Sequence, residues 1–182
     1  MSTPGFTVHT AMVLAEVAHD RQKDKLKRPY REHVQAVGDA LADFDDDVRM
    51  AGYLHDIAED TPISKRALLE MGVPPRVVAI IERVSINLQD TPDDYPAFIR
   101  FIAEDRDATL VKIASNAHHS LPERVQALAE KWPDKAPTTR YSEAREILYR
   151  AVPEADVLLI LNRINPDLIA ELSRIPGHDP QA

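Results

Sequence analysis

Residues 46–62, DDVRMAGYLHDIAEDTP, decide how the rest of the chain is read. Val48, Ala51, Leu54 and Ala58 recur at helical spacing, which predicts an amphipathic helix with one buried stripe. His55 and Glu59 stand four residues apart, and so do Asp56 and Asp60, so two polar rows should run beside that stripe and face one cleft. Burying an imidazole among three carboxylates is costly without a cation, and a divalent metal is the cheapest compensation. The competing reading is a solvated acidic helix end with His55 as a satisfied core histidine.

The His-Asp dipeptide alone carries little, because the sequence has three of them. His178-Asp179 stands in the Pro- and Gly-bounded tail IPGHDPQA (175–182) and reads as a solvated terminus. His19-Asp20 closes the apolar stretch AMVLAEVAHD (11–20), but the basic run RQKDKLKRPYR (21–31) follows and would repel a cation. His19 therefore reads as a helix-terminal histidine.

Composition fits a soluble enzyme with one domain over residues 1–182. At 182 residues and 44% hydrophobic content, the chain can bury a core without staples. No run approaches membrane-spanning length, and MSTPGFTVHT lacks the regions of a signal peptide, so the expected compartment is the cytoplasm with no membrane partner. The absence of cysteine excludes thiolate ligands and a cysteine nucleophile. Any metal must then be held by His and carboxylate, which narrows it to Mn, Fe, Mg, Co or Zn. A net charge of -8 argues against nucleic acid, yet residues 21–31 hold six Lys or Arg and one Asp. Just before His33, that run reads as a phosphate-holding rim for a small anionic substrate, where taken alone it would be a solvated loop.

The remainder reads as helix after helix. Thr7 should cap a first helix to about Gln22, Pro29 should open a second carrying His33, Val37 and Leu41, and Asp45, Asp46 and Asp47 suit the start of the third. Further helices are expected in SKRALLEMG, PPRVVAIIERV, PAFIRFIAED, DATLVKIASNAHH, PERVQALAEKW, TRYSEAREILYRAV, ADVLLILNRI and PDLIAELSRI. Breaks such as GVPP, QDTPDDYP and WPDKAPTT separate them, and no alternating strand or repeat is visible.

The order His33, then LHDIAEDT (54–61), then VKIASNAHHS (111–120) resembles the HD-domain phosphohydrolases, and among them the RelA/SpoT-type and small alarmone hydrolases. That family runs roughly PYxxHP, LHDxxEDT, KLADxxHN. The resemblance spans about residues 8–150, leaving 151–182 as C-terminal helices and tail. It implies an all-α, single-domain HD-type helical bundle that hydrolyses a nucleotide or alarmone, (p)ppGpp first, with a divalent metal, manganese first. It places His33, His55 and Asp56 as metal ligands and Glu59 and Asp60 as the acid pair that handles the attacking water. Lys25, Arg28 and Lys112 take the place of substrate-binding cations, and Tyr141, in RYSEA, that of a late substrate-contacting tyrosine.

Three departures stand against the pattern. Ser115 occupies the place of the aspartate that would be the fourth ligand, His119 replaces an asparagine that would contact the ribose, and positions near Asp24 are usually basic. Ser115 and His119 share a helical face, so His119 could supply an imidazole where a carboxylate is lost, with His118 as the other candidate. The alternatives are another HD nucleotidase acting on NMPs or dNTPs, and an inactive HD module that binds a nucleotide or protein partner. Oligomeric state is left open, since VLLILNRI (157–164) suits a core as well as a dimer face.

Overall fold

The computed structural model describes residues 5–85, 95–133 and 138–175, and the regular structure among them is helical. An isolated bridge between Lys23 and Pro29 closes the basic loop. Most expected starts hold. Thr7 caps α1 (Val8–Ala18), accepting the Thr10 N–H, and Asp45 caps α3 (Asp46–Leu54) through the Asp47 and Val48 N–H groups. Ser64 caps α5 (Lys65–Glu70) and Asp105 caps α8 (Arg106–His119) in the same way. Each such oxygen satisfies a donor that has no partner inside the helix, for about 1 kcal/mol. Proline opens α6 (Pro75–Val84) and α9 (Pro122–Lys131), where a missing N–H costs nothing.

Some boundaries differ. α1 ends at Ala18 and not near Gln22: the Asp20 and Gln22 N–H groups bond the Val17 and His19 carbonyls, three residues back and not four, so the α-helical ladder stops. α2 (Arg31–Ala40) begins two residues after Pro29. PDLIAELSRI divides into a 3-10 turn, Pro166–Leu168, and α12 (Ile169–Leu172). Most of QDTPDDYP and WPDKAPTT, and the pair His178-Asp179, lie outside the described residues. The largest correction falls on the segment that opened the reading: it is not one helix. α3 stops at Leu54, and α4 (Ile57–Asp60) is a separate short turn, with Asp56 at φ -98° and ψ -2° between them.

α3 packs against α1, α2, α6 and α8, and α8 packs against α2, α6, α7 (Tyr95–Ala103), α10 (Thr138–Arg150) and α11 (Glu154–Ile164). These two are the central rods. Val48, Ala51 and Leu54 are fully buried, as the stripe requires, and so are Leu110, Val111, Ile113, Ala114 and Ala117 around α8. Two glycines set the crossing of α2 on α3. A Cβ at Gly38 would fall inside the Tyr53 ring, and one at Gly52 would stand 3.2 Å from the Gly38 Cα. Only hydrogen fits there, so the two backbones approach closely and bring His33 to His55. At the other end Arg76 joins Asp45, Asp47 and Asp107, so one guanidinium serves the acidic starts of α3 and α8.

Candidate metal centre and substrate pocket

The break between α3 and α4 makes the site. Successive residues of a regular helix point about 100° apart, so His55 and Asp56 could not reach one point from inside a helix. At the junction they do: His55 Nε2 lies 2.9 Å from Asp56 Oδ2. His33, from the first turn of α2, brings its Nε2 to 3.2 Å from His55 Nε2 and 3.4 Å from Asp56 Oδ2. Neighbouring ligands at about 2.1 Å from a shared ion stand about 3.0 Å apart at a right angle and about 3.4 Å apart at the tetrahedral angle. The three edges of this triangle match that spacing, so the donor set fits a divalent cation.

The polar partners agree. The His55 Nδ1 sits 2.8 Å from the Gly52 carbonyl, which fixes its proton there and leaves Nε2 to the centre. Burial works against charge on every member of the trio, yet the Asp56 carboxyl is held well below its ordinary value by His55 and His33, and Asp56 outweighs burial to raise His55. Burial does prevail at His33, which is held down and offers a bare nitrogen at neutral pH. The trio is electrostatically arranged around one positive charge. Tyr30, one turn before His33, donates its hydroxyl to Asp56 Oδ2 at 2.7 Å, and burial with the nearby Asp56 keeps that hydroxyl protonated.

The other expected residues separate into two groups. Lys25, Asp60, His119 and Tyr141 line a pocket of about 590 Å³ in front of the trio. Arg28 and Glu59 do not line it. Arg28 is half-buried, and its backbone N–H donates to Asp24. Glu59 is exposed on α4, and together with Asp56 it acts on Lys112, whose ammonium is pushed below its ordinary value chiefly by burial. Lys112 rests 5.4 Å above the Phe98 ring. Ser115 is buried on α8. His119, one turn on, stacks on His33 at 4.4 Å and on Tyr141 at 5.5 Å, and with His33 and His118 it makes a second set of donors close enough for a metal. Its position in the pocket wall joins the trio to the space in front. Tyr141 is held there by its carbonyl, which accepts from Asn116 Nδ2 at 3.1 Å.

Four residues of the site escaped the sequence reading: Gln22, Arg124, Trp132 and Tyr30. Tyr30 carried a signal, since it stands three residues before His33 in PYREHV. Gln22 accepts from His19 Nδ1 through its Oε1 at 2.7 Å and donates through its Nε2 to Asp60 at 3.1 Å, which ties the end of α1 to the acid pair. Trp132 lines the pocket beyond α9, with the Lys131 ammonium 4.5 Å from its ring. Arg124 is buried and donates to Asp24 at 2.8 Å, a pairing across 100 positions. Asp24 explains its own departure from the basic pattern: its other oxygen accepts the Leu26 and Arg28 N–H groups at 2.8 and 2.9 Å. The carboxylate therefore builds the turn of the basic loop, whose Lys27 takes a positive φ of 67°, and anchors it to α9. Burial would raise its pKa, but these partners together hold it down.

Residues 11–92 match the HD domain family, and the match contains the trio with Glu59 and Asp60. This stretch is similar to an HD domain. The HD-domain match ends before α8, so Ser115, His118 and His119 fall outside it. A solved structure of a metazoan ortholog of SpoT, one that hydrolyzes ppGpp and plays a role in starvation responses, is similar in fold at a TM-score of 0.62. The two share 22% identity, over 98% of this chain and 100% of that one. Among curated proteins no sequence matches. None of the helices among the described residues is long and apolar enough to cross a membrane.

Proposed function

We propose that this chain is an HD-type, metal-dependent phosphohydrolase whose substrate is a nucleotide or alarmone, with the 3'-pyrophosphate of (p)ppGpp as the leading candidate. The observation that carries the reading is the triangle of His33 Nε2, His55 Nε2 and Asp56 Oδ2, closed to metal-ligand spacing at a helix break. Its likeness in fold to a SpoT ortholog that hydrolyzes ppGpp supports the choice of substrate. These three residues would hold the ion, manganese first, which when bound would supply Lewis acidity to water and phosphate.

The rest of the chemistry belongs to the chain. Tyr30 steadies the Asp56 carboxylate, and Gln22 steadies Asp60 at the pocket edge. Glu59 and Asp60 take up and pass on the proton of the attacking water, a general acid-base role. Lys23, Lys25 and Arg124 present positive charge to the phosphates, while His119, Tyr141 and Trp132 offer flat faces to a base.

One observation favours a second reading. Ser115 puts a buried hydroxyl where a fourth ligand is expected, which favours a module that binds nucleotide without turning it over. Elemental analysis of the purified protein and product profiling on ppGpp, dNTPs and NMPs with manganese separate the two. Stoichiometric metal and pyrophosphate release from ppGpp are the expected results. No bound metal and no turnover of any of them would overturn the enzyme reading.

A further inference from the structure

His118 is used neither by the trio nor by the substrate pocket, yet it is buried against His33. The two Nδ1 atoms stand 2.8 Å apart, so one proton lies between them. Packing fixes the plane of the His33 ring: Tyr30 meets it edge-on at 5.4 Å and His119 covers it at 4.4 Å. Packing cannot fix which edge carries nitrogen, because an imidazole turned by 180° about its stem fills nearly the same volume. Hydrogen bonds alone make that distinction. The ring has two polar edges to satisfy, and one of them, Nε2, faces a bare nitrogen and a carboxylate. The other has His118.

We propose that His118 is a positioning residue which accepts the Nδ1–H of His33 and so holds the tautomer and ring orientation that turn the Nε2 lone pair toward His55 and Asp56. The inference rests on the metal-centre reading above and assigns a supporting partner to its first ligand. Metal-bound histidines nearly always donate their second N–H, most often to a carboxylate or a carbonyl. Here the acceptor is a neutral imidazole, which is a weaker one, so His33 is a less basic ligand than a carboxylate-backed histidine would be. His118 can give its Nδ1 to this task because it also lines a separate groove of about 460 Å³ with Asp39 and Arg163, where solvent can serve its other nitrogen. That groove shares no lining residue with the substrate pocket.

Two variants of the full chain test it, with manganese itself as the probe in isothermal titration. In His118→Asn the side-chain amide places an acceptor near the position of the lost Nδ1. In His118→Leu the volume is kept and the acceptor removed. The leucine variant should bind manganese about 10- to 100-fold more weakly than wild type, and the asparagine variant should recover to within about threefold. Circular dichroism confirms that both are folded. Should the leucine variant fail to fold, His118→Gln replaces it, since its acceptor lies one bond too far and should not rescue. Leucine binding at the wild-type level, or asparagine no better than leucine or glutamine, overturns the proposal while leaving the metal centre intact. Wild type that binds no manganese overturns the metal-centre reading itself, a result that the variants cannot mimic.

Discussion

At the scale of single residues, Glu59 separates chemistry from binding. If it moves a proton and holds no metal, Glu59→Gln should retain manganese in isothermal titration while turnover falls on the order of 100-fold. Metal and activity lost together would make it a ligand. Ser115 tests the fourth position. Its hydroxyl matches a carboxylate in neither charge nor reach, so Ser115→Asp should tighten manganese binding and raise turnover, read by titration and by pyrophosphate release. A variant with unchanged affinity would mean that the His119 imidazole of α8 already completes the set. The residues legible in the sequence were those with short-range grammar: His33 follows Pro29 and Tyr30, and His55, Asp56, Glu59 and Asp60 fall in one run. Arg124 was invisible because its reason for being there, Asp24, is 100 positions away. His118 was noted only as a stand-in for Ser115, since a contact between two Nδ1 atoms 85 positions apart leaves no trace in spacing.

Among the elements, helix starts were readable because capping is local, and the α3–α4 junction was not. Val48, Ala51, Leu54 and Ala58 do keep a helical period, but the chain leaves the helix at His55 without a proline or glycine to announce it. The turn is held by a local side-chain contact, His55 Nδ1 on the Gly52 carbonyl three residues back, and by a tertiary one, the Tyr30 hydroxyl on Asp56. The crossing of α2 on α3 is equally tertiary. Gly38→Ala should cost about 1–3 kcal/mol in urea unfolding, because the added methyl meets the Tyr53 ring and the helices must part. It should also weaken manganese binding, since His33 and His55 sit on the two helices that separate. A stability loss with undiminished metal affinity would show that the junction, and not the crossing, sets the triangle.

For the whole molecule, the buried imidazoles write a pH dependence. Burial holds His33, His118 and His119 below the ordinary histidine value, His118 at about 3. In the unfolded chain these rings take protons below about 6.5. Below that value the unfolded state binds more protons, so stability should fall as pH drops from about 6.5. His55, where Asp56 outweighs burial, works in the opposite sense, adding stability in acid that fades as pH rises. Three rings act in the first sense and one in the second. Urea titrations of chelator-treated protein at pH 7, 5.5 and 4.5 should show a declining midpoint, and a midpoint flat down to pH 4.5 would exclude neutral buried imidazoles.

Trp132 has a use beyond packing. It is the sole tryptophan of the chain and it stands in the wall of the pocket, with a lysine ammonium against its ring. The protein therefore carries a built-in optical reporter at the place where a nucleotide would enter. Tryptophan emission should change in intensity or wavelength and saturate as ppGpp is added, and a signal indifferent to every nucleotide tried would place binding elsewhere. Because the signal needs no turnover and no label, stopped-flow emission can time the arrival of ligand apart from its hydrolysis.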